Sequence, residues 1–95
     1  MSKIICVVED SVPKNRELLY DHGVSFWIEA QDGNMLFDTG PTVAILSHNL
    51  EVLNLDIQSI DALALSHAHY DHTGGLAAVL PQRTPVPVYT LPDIF

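Results

Sequence analysis

Residues 67 to 72 read His-Ala-His-Tyr-Asp-His, so three of the chain's five histidines fall within six positions, with an aspartate among them. Imidazole nitrogen and carboxylate oxygen are donors that zinc accepts, at roughly 2.0–2.2 Å. They also suit iron or manganese. Where a chain stays extended, side chains two positions apart point the same way, so His67 and His69 can reach one ion together. Asp71 and His72, beyond a turn, approach from another side. The bland alternative is a polar surface loop with coincidental histidines. A single histidine would favour it. Four ligand-type residues in six positions, directly after an apolar strand, favour a metal site.

Such a loop needs rigid elements to hold it. The segment before it, "SIDALALS" (59–66), reads as a strand, and "GGLAAVLPQ" (74–82) after it reads as a short helix ended by Pro81. Upstream, "KIICVVE" (3–9) is β-branched and reads as a first strand. Residues 10–22 are polar and read as a loop with one helical turn. In "GVSFWIEA" (23–30), Val24, Phe26, Ile28 and Ala30 alternate with Ser25, Trp27 and Glu29, the pattern of a strand with one buried face. "QDGN" signals a hairpin, and "MLFDT" (35–39) returns as the paired strand. Pro41 suits a first helical turn and Thr39 its cap. Val43, Leu46, Leu50 and Leu53 then share a helical face, with Ser47, Asn49, Glu51 and Asn54 largely opposite. His48 has no acidic or histidine partner at ligand spacing and reads as a surface or helix-packing residue. "VPVYT" (86–90) is a last strand. The order β, ββ hairpin, α, β, loop, α, β predicts an α/β layered domain.

Ninety-five residues make one domain, or a piece of one. The formal charge of −8 and four scattered basic residues, Lys3, Lys14, Arg16 and Arg83, argue against a nucleic-acid partner. A bound pair of divalent cations would offset part of that charge. Cys6 is the only cysteine and, within its apolar run, reads as a small core residue. With no second cysteine in the chain to pair with it, the setting expected is cytoplasmic. Neither a signal peptide nor an apolar run of the ~20 residues that span a bilayer is apparent, so no membrane association is expected.

The stretch "SHAHYDHTGG" resembles the His-x-His-x-Asp-His signature of the metallo-β-lactamase superfamily, and "LFDTG" (36–40) resembles the Asp-Thr-Gly element that the superfamily carries upstream. With "DHGVSFWIE" and "PVYTLPDIF", the chain is similar to the branch of metal-dependent hydrolases related to dihydropterin-ribofuranosylaminobenzene-phosphate synthase. The resemblance implies half of an αβ/βα sandwich: a mixed sheet with helices on one outer face, spanning 1–95 as the N-terminal half of that fold. It implies two zinc ions, with iron or manganese as substitutes. His67 and His69 bind the first, and Asp71 and His72 the second. Asp71 also has a catalytic role in holding a metal-bound hydroxide in line for attack on an ester, thioester or phosphoester of a small molecule. Asp38 orients the histidine loop from behind the ligands, and His22 approaches a substrate pocket.

The superfamily's complete site takes further histidines and an aspartate from its second half. After residue 72 this sequence has no histidine, and Asp93 is its only acid. Two functional readings follow. The chain supplies the metal-binding half of a hydrolase completed by self-association or by a complementary second-half chain, or it is a truncated metal-binding remnant without turnover.

Overall fold

The computed structural model describes residues 2–66, 70–81 and 85–90, with Tyr70 and Asp71 described as backbone only. Among these described residues five strands, β1 (Lys3–Val8), β2 (Ser25–Ala30), β3 (Gly33–Phe37), β4 (Ala62–Leu65) and β5 (Val88–Thr90), form one sheet in sequence order. β1, β2 and β3 are antiparallel neighbours, while β4 runs parallel to β3 and β5 parallel to β4. The helices described between them are α1 (Val43–Val52), α2 (Tyr70–Thr73) and α3 (Leu76–Val79), with a 3-10 turn over Ile57–Ser59. This is the mixed α/β sheet that the sequence predicts.

The hairpin turns at Gln31 and Asp32, and Gly33 begins β3 opposite Ala30. Gly33 takes φ +149°, and a Cβ there would run into the Asp61 carboxylate. That carboxylate instead accepts the Asn34 N–H at 2.9 Å.

The register decides what is buried. Trp27, Leu36 and Leu63 lie in one cross-strand row and are at most 1% exposed. They form the core with Leu46 and Leu50 of α1 and Ala78 and Val79 of α3. The adjacent row, Cys6, Phe26, Phe37 and Ala64, points to the opposite face. Among the described residues no helix covers it, and Phe26, Ile28, Met35 and Phe37 are only half-buried. Ile4, paired with Ile28, is 67% exposed.

Two expectations are thereby corrected. The buried face of β2 is that of Ser25 and Trp27, not of Val24, Phe26, Ile28 and Ala30. Cys6 is exposed rather than in the core. Alternation in β2 marks its more apolar side, but the helices cover the side that carries Trp27, where the one fully buried polar residue of the strand, Ser25, is satisfied by Asp38 C=O. Burial and the nearby Glu9 carboxylate push the Cys6 thiol pKa up.

The α1 cap is Thr42, whose side chain accepts the Ile45 N–H at 3.1 Å, and not Thr39. At the other end Asn54 (φ 62°) takes the left-handed conformation that glycine usually supplies. The Leu55 N–H then bonds Leu50 C=O at 2.9 Å and the Asn54 N–H bonds Glu51 C=O at 3.1 Å, a Schellman closure. Asn49, expected on the polar face, is fully buried. Its Nδ2 donates to Val7 C=O at 2.7 Å and to Leu19 C=O at 2.8 Å, and its Oδ1 accepts the Leu19 N–H at 2.8 Å. One amide thus ties α1 to β1 and to the long β1–β2 loop. His48 is exposed, with Nε2 2.7 Å from Glu17 C=O on the same loop. Among the described residues no helix is long and apolar enough to cross a membrane.

Candidate metal centre

The site begins where the parallel strands β3 and β4 end. In open α/β sheets the carboxyl ends of strands are where ligands gather. The Asp38 N–H donates to Ala64 C=O at 2.8 Å, carrying the ladder one residue past β3. Asp38 then adopts φ 57°, which an aspartate tolerates better than a branched residue. The Ser25 hydroxyl, fully buried on β2, holds Asp38 C=O at 2.7 Å.

That turn aims the Asp38 carboxylate across the strand ends. Its Oδ1 accepts the Ser66 N–H at 2.8 Å, and its Oδ2 accepts the Ser66 hydroxyl at 2.6 Å. Oδ2 also lies 2.7 Å from His72 Nδ1. A carboxylate has no proton to give, so the imidazole donates from Nδ1, and in that tautomer the lone pair is on Nε2. Asp38 is 0% exposed, and the His72 side chain is 18% exposed. The acid is thus enclosed while part of the His72 side chain reaches the surface.

Thr39, also fully buried, grips the same segment from the backbone side. Its N–H and its hydroxyl both donate to His72 C=O, at 2.8 and 2.9 Å. The hydroxyl accepts the Gly75 N–H at 3.0 Å. Gly75 sits so close to β3 that a Cβ there would collide with Thr39 C=O. Gly40, at φ 73°, turns the chain away towards α1 and donates its N–H to Val24 C=O at 2.9 Å.

Asp38 and His72 are thus joined directly. His67 and His69 lie outside the described residues, as does the Asp71 side chain, although Asp71 itself falls in α2. Among the described residues no group of three or more His, Cys, Asp or Glu is placed to hold a metal. His22 is exposed, with Nδ1 4.0 Å from Asp10 Oδ2, two positions before the Val24 carbonyl that meets Gly40. Sequence reasoning missed Ser66 and gave Thr39 a different task. The signal was position: Ser66 directly precedes the histidine cluster, and Thr39 follows the one acid at the end of β3.

The His72–Asp38 pair fits the pattern of a metal-ligating imidazole. A ligating imidazole characteristically gives its second N–H to a carboxylate or carbonyl, which fixes the tautomer and the ring plane. His72 on Asp38 has that arrangement.

Residues 20–95 match the family model described as the metallo-beta-lactamase superfamily. The chain is 36% identical, over 98% of its length, to the 7,8-dihydropterin-6-methyl-4-(beta-D-ribofuranosyl)-aminobenzene-5'-phosphate synthase of Methanocaldococcus jannaschii, and it spans 33% of that relative. Among solved structures it is similar to the Rm3 metallo-beta-lactamase, with TM-score 0.63, 26% identity, and 78% of this chain matched to 28% of the other. It is also similar to BJP-1, a subclass B3 metallo-beta-lactamase of Bradyrhizobium japonicum, with TM-score 0.58, 27% identity, and 68% matched to 25%.

Proposed function

Because this chain belongs to the metallo-β-lactamase superfamily, we propose that it supplies the histidine-rich part of a two-metal site in a hydrolase of small-molecule esters, thioesters or phosphoesters. His67 and His69 would hold one zinc ion, and Asp71 and His72 the other. Iron or manganese suits the same donors. When bound, such metals make water a nucleophile at neutral pH and polarise the bond under attack.

The observation that carries this reading is the Asp38–His72 contact at 2.7 Å. Asp38 keeps the proton on Nδ1 and leaves Nε2 as the ligating atom. Ser66, through its N–H and hydroxyl, keeps the Asp38 carboxylate aimed at the ring. Asp71 would align the attacking water. His22, near the point where the β1–β2 loop rejoins the strand ends, would meet the substrate. A cytoplasmic setting suits the single thiol.

The Methanocaldococcus relative is named a synthase of a phosphorylated dihydropterin compound. That name supports a phosphorylated or pterin-like substrate, and a bond-forming reaction at the same site is the second reading. The open apolar face of the sheet supports a further element of the proposal, a complementary second-half chain or segment packed over Ile4, Phe26, Ile28 and Phe37, with self-association as the alternative. A metal-binding remnant without turnover is the outcome if no such complement restores activity.

The test measures metal content and hydrolysis of a generic phosphodiester and a generic thioester by the full chain, alone and with a second-half chain from a relative. Metal uptake that vanishes in the His67→Ala/His69→Ala double variant, with turnover in either condition, supports the reading. Unchanged metal content in that variant refutes the ligand assignment.

A further inference from the structure

His72 is gripped at two points by two consecutive residues. Asp38 holds its ring, and Thr39 holds its carbonyl through both backbone and side chain. The Thr39 hydroxyl has one proton. It lies 2.9 Å from His72 C=O and 3.3 Å from Gly40 C=O, so the shorter bond takes it. Its lone pair takes the Gly75 N–H at 3.0 Å. The hydroxyl therefore links the end of β3 to both sides of the α2–α3 junction, across a gap of more than thirty residues in sequence.

These bonds are not needed merely to satisfy the backbone. His72 C=O also accepts the Thr39 N–H, and the Gly75 N–H also reaches Gly40 C=O at 3.2 Å. Removing the hydroxyl would orphan neither group. What it would remove is the single-atom bridge between His72 C=O and Gly75 N–H, leaving one backbone bond on each side of the junction.

We propose that Thr39 is a positioning residue. Its hydroxyl, bridging His72 C=O and Gly75 N–H, sets the placement of the His72 main chain, so that the ring held by Asp38 is presented to a metal in a single orientation. Fixing only the ring would let the backbone swing about the Asp38 contact, and fixing only the backbone would let χ1 and χ2 vary. The two adjacent residues remove both freedoms. This inference rests on the proposed metal site for its effect on affinity, but the bridge itself can be measured without metal.

The experiment compares Thr39→Val, which keeps shape and branching but loses the hydroxyl, with Thr39→Ser, which keeps the hydroxyl. Cobalt(II) titration and its visible spectrum are read on the full chain, alongside amide hydrogen exchange of residues 72–76 in the apoprotein. Partners standing behind metal ligands are worth about 10–100-fold in affinity. Thr39→Val is expected to weaken cobalt binding by about that factor and to alter its spectrum, with faster exchange at Gly75. Thr39→Ser is expected to restore most of the affinity and the exchange protection. Cobalt binding by Thr39→Val that matches the unsubstituted chain in affinity and spectrum overturns the inference. If the unsubstituted chain takes up no cobalt, it is the metal reading that fails. The bridge then stands or falls on whether Thr39→Val speeds exchange at Gly75 and Thr39→Ser does not.

Discussion

Asp38 Oδ2 and His72 Nδ1 stand 2.7 Å apart although 34 positions separate them in the chain. The contact depends on the left-handed turn at Asp38, and it selects the tautomer of His72. In Asp38→Asn the residue still tolerates that backbone. Its oxygen can keep the Ser66 N–H, but its NH2 would face the ring. The imidazole would then accept at Nδ1 and carry its proton on Nε2, where it cannot ligate. Asp38→Asn is therefore expected to fold and to bind zinc about 10–100-fold more weakly, measured by competition with a chromogenic chelator. Wild-type affinity in this variant would show that Asp38 does not set the tautomer.

Asp38→Ala removes every acceptor that Ser66 and His72 use on that carboxylate. Losing hydrogen bonds made to a charged group costs about 1–3 kcal/mol. Urea unfolding is expected to show a loss of that size relative to the unsubstituted chain, with Asp38→Asn losing less.

Gly75 tests the closeness of the loop to the strand. A Cβ there would collide with Thr39 C=O and lie 3.0 Å from Leu46 Cδ2 and 3.1 Å from Thr39 Cβ. Backbone and core have little room to yield, and overpacking of this kind costs about 1–3 kcal/mol. Gly75→Ala is expected to lose that much in urea unfolding, whereas Ala77→Ser, on an exposed position of α3, is expected to be near neutral.

The motif was legible in the sequence because donor chemistry does not depend on which face of a strand is buried. His67, His69, Asp71 and His72 stand out by type and spacing, Asp38 stands out only through the resemblance of "LFDTG" to a family element, and the element order follows from turn residues and apolar periodicity. Three things were not legible. Phe26 and Ile28 make the more apolar side of β2, yet the helices cover the side of Trp27, because alternation within a strand does not say where the helices pack. Thr39 and Thr42 both precede the helix, and only the path of the chain gives the cap to Thr42 and the loop bridge to Thr39. Asn49 reads as a polar-face residue because its partners, Val7 and Leu19, are 42 and 30 positions away.

That amide gives a further expectation. Asn49→Leu would suit the apolar neighbours of α1 but leave Val7 C=O and both Leu19 backbone groups without their partner. A loss of about 1–3 kcal/mol is expected. It should come with faster hydrogen exchange in residues 15–20, while β2 and β3 stay protected. Uniform acceleration throughout the sheet would mean that Asn49 supports the whole fold rather than anchoring the β1–β2 loop.

Cys6 reports on the uncovered face of the sheet. Its thiol is exposed, but partial burial and, secondarily, the charge of Glu9 raise its pKa above the ordinary value of 9.0. The thiolate is the reactive form, so alkylation is expected to be slow at neutral pH and to rise only as pH passes above 9.0. A midpoint below 9.0 would contradict the assigned environment. Glu9→Gln removes the smaller of the two causes and is expected to move the midpoint down slightly. Cys6 shares its face with Phe26 and Phe37, so a second layer packed over that face must shield it. Adding a complementary second-half chain at fixed pH is therefore expected to suppress alkylation. An alkylation rate that does not change while the two chains co-elute would place their contact elsewhere.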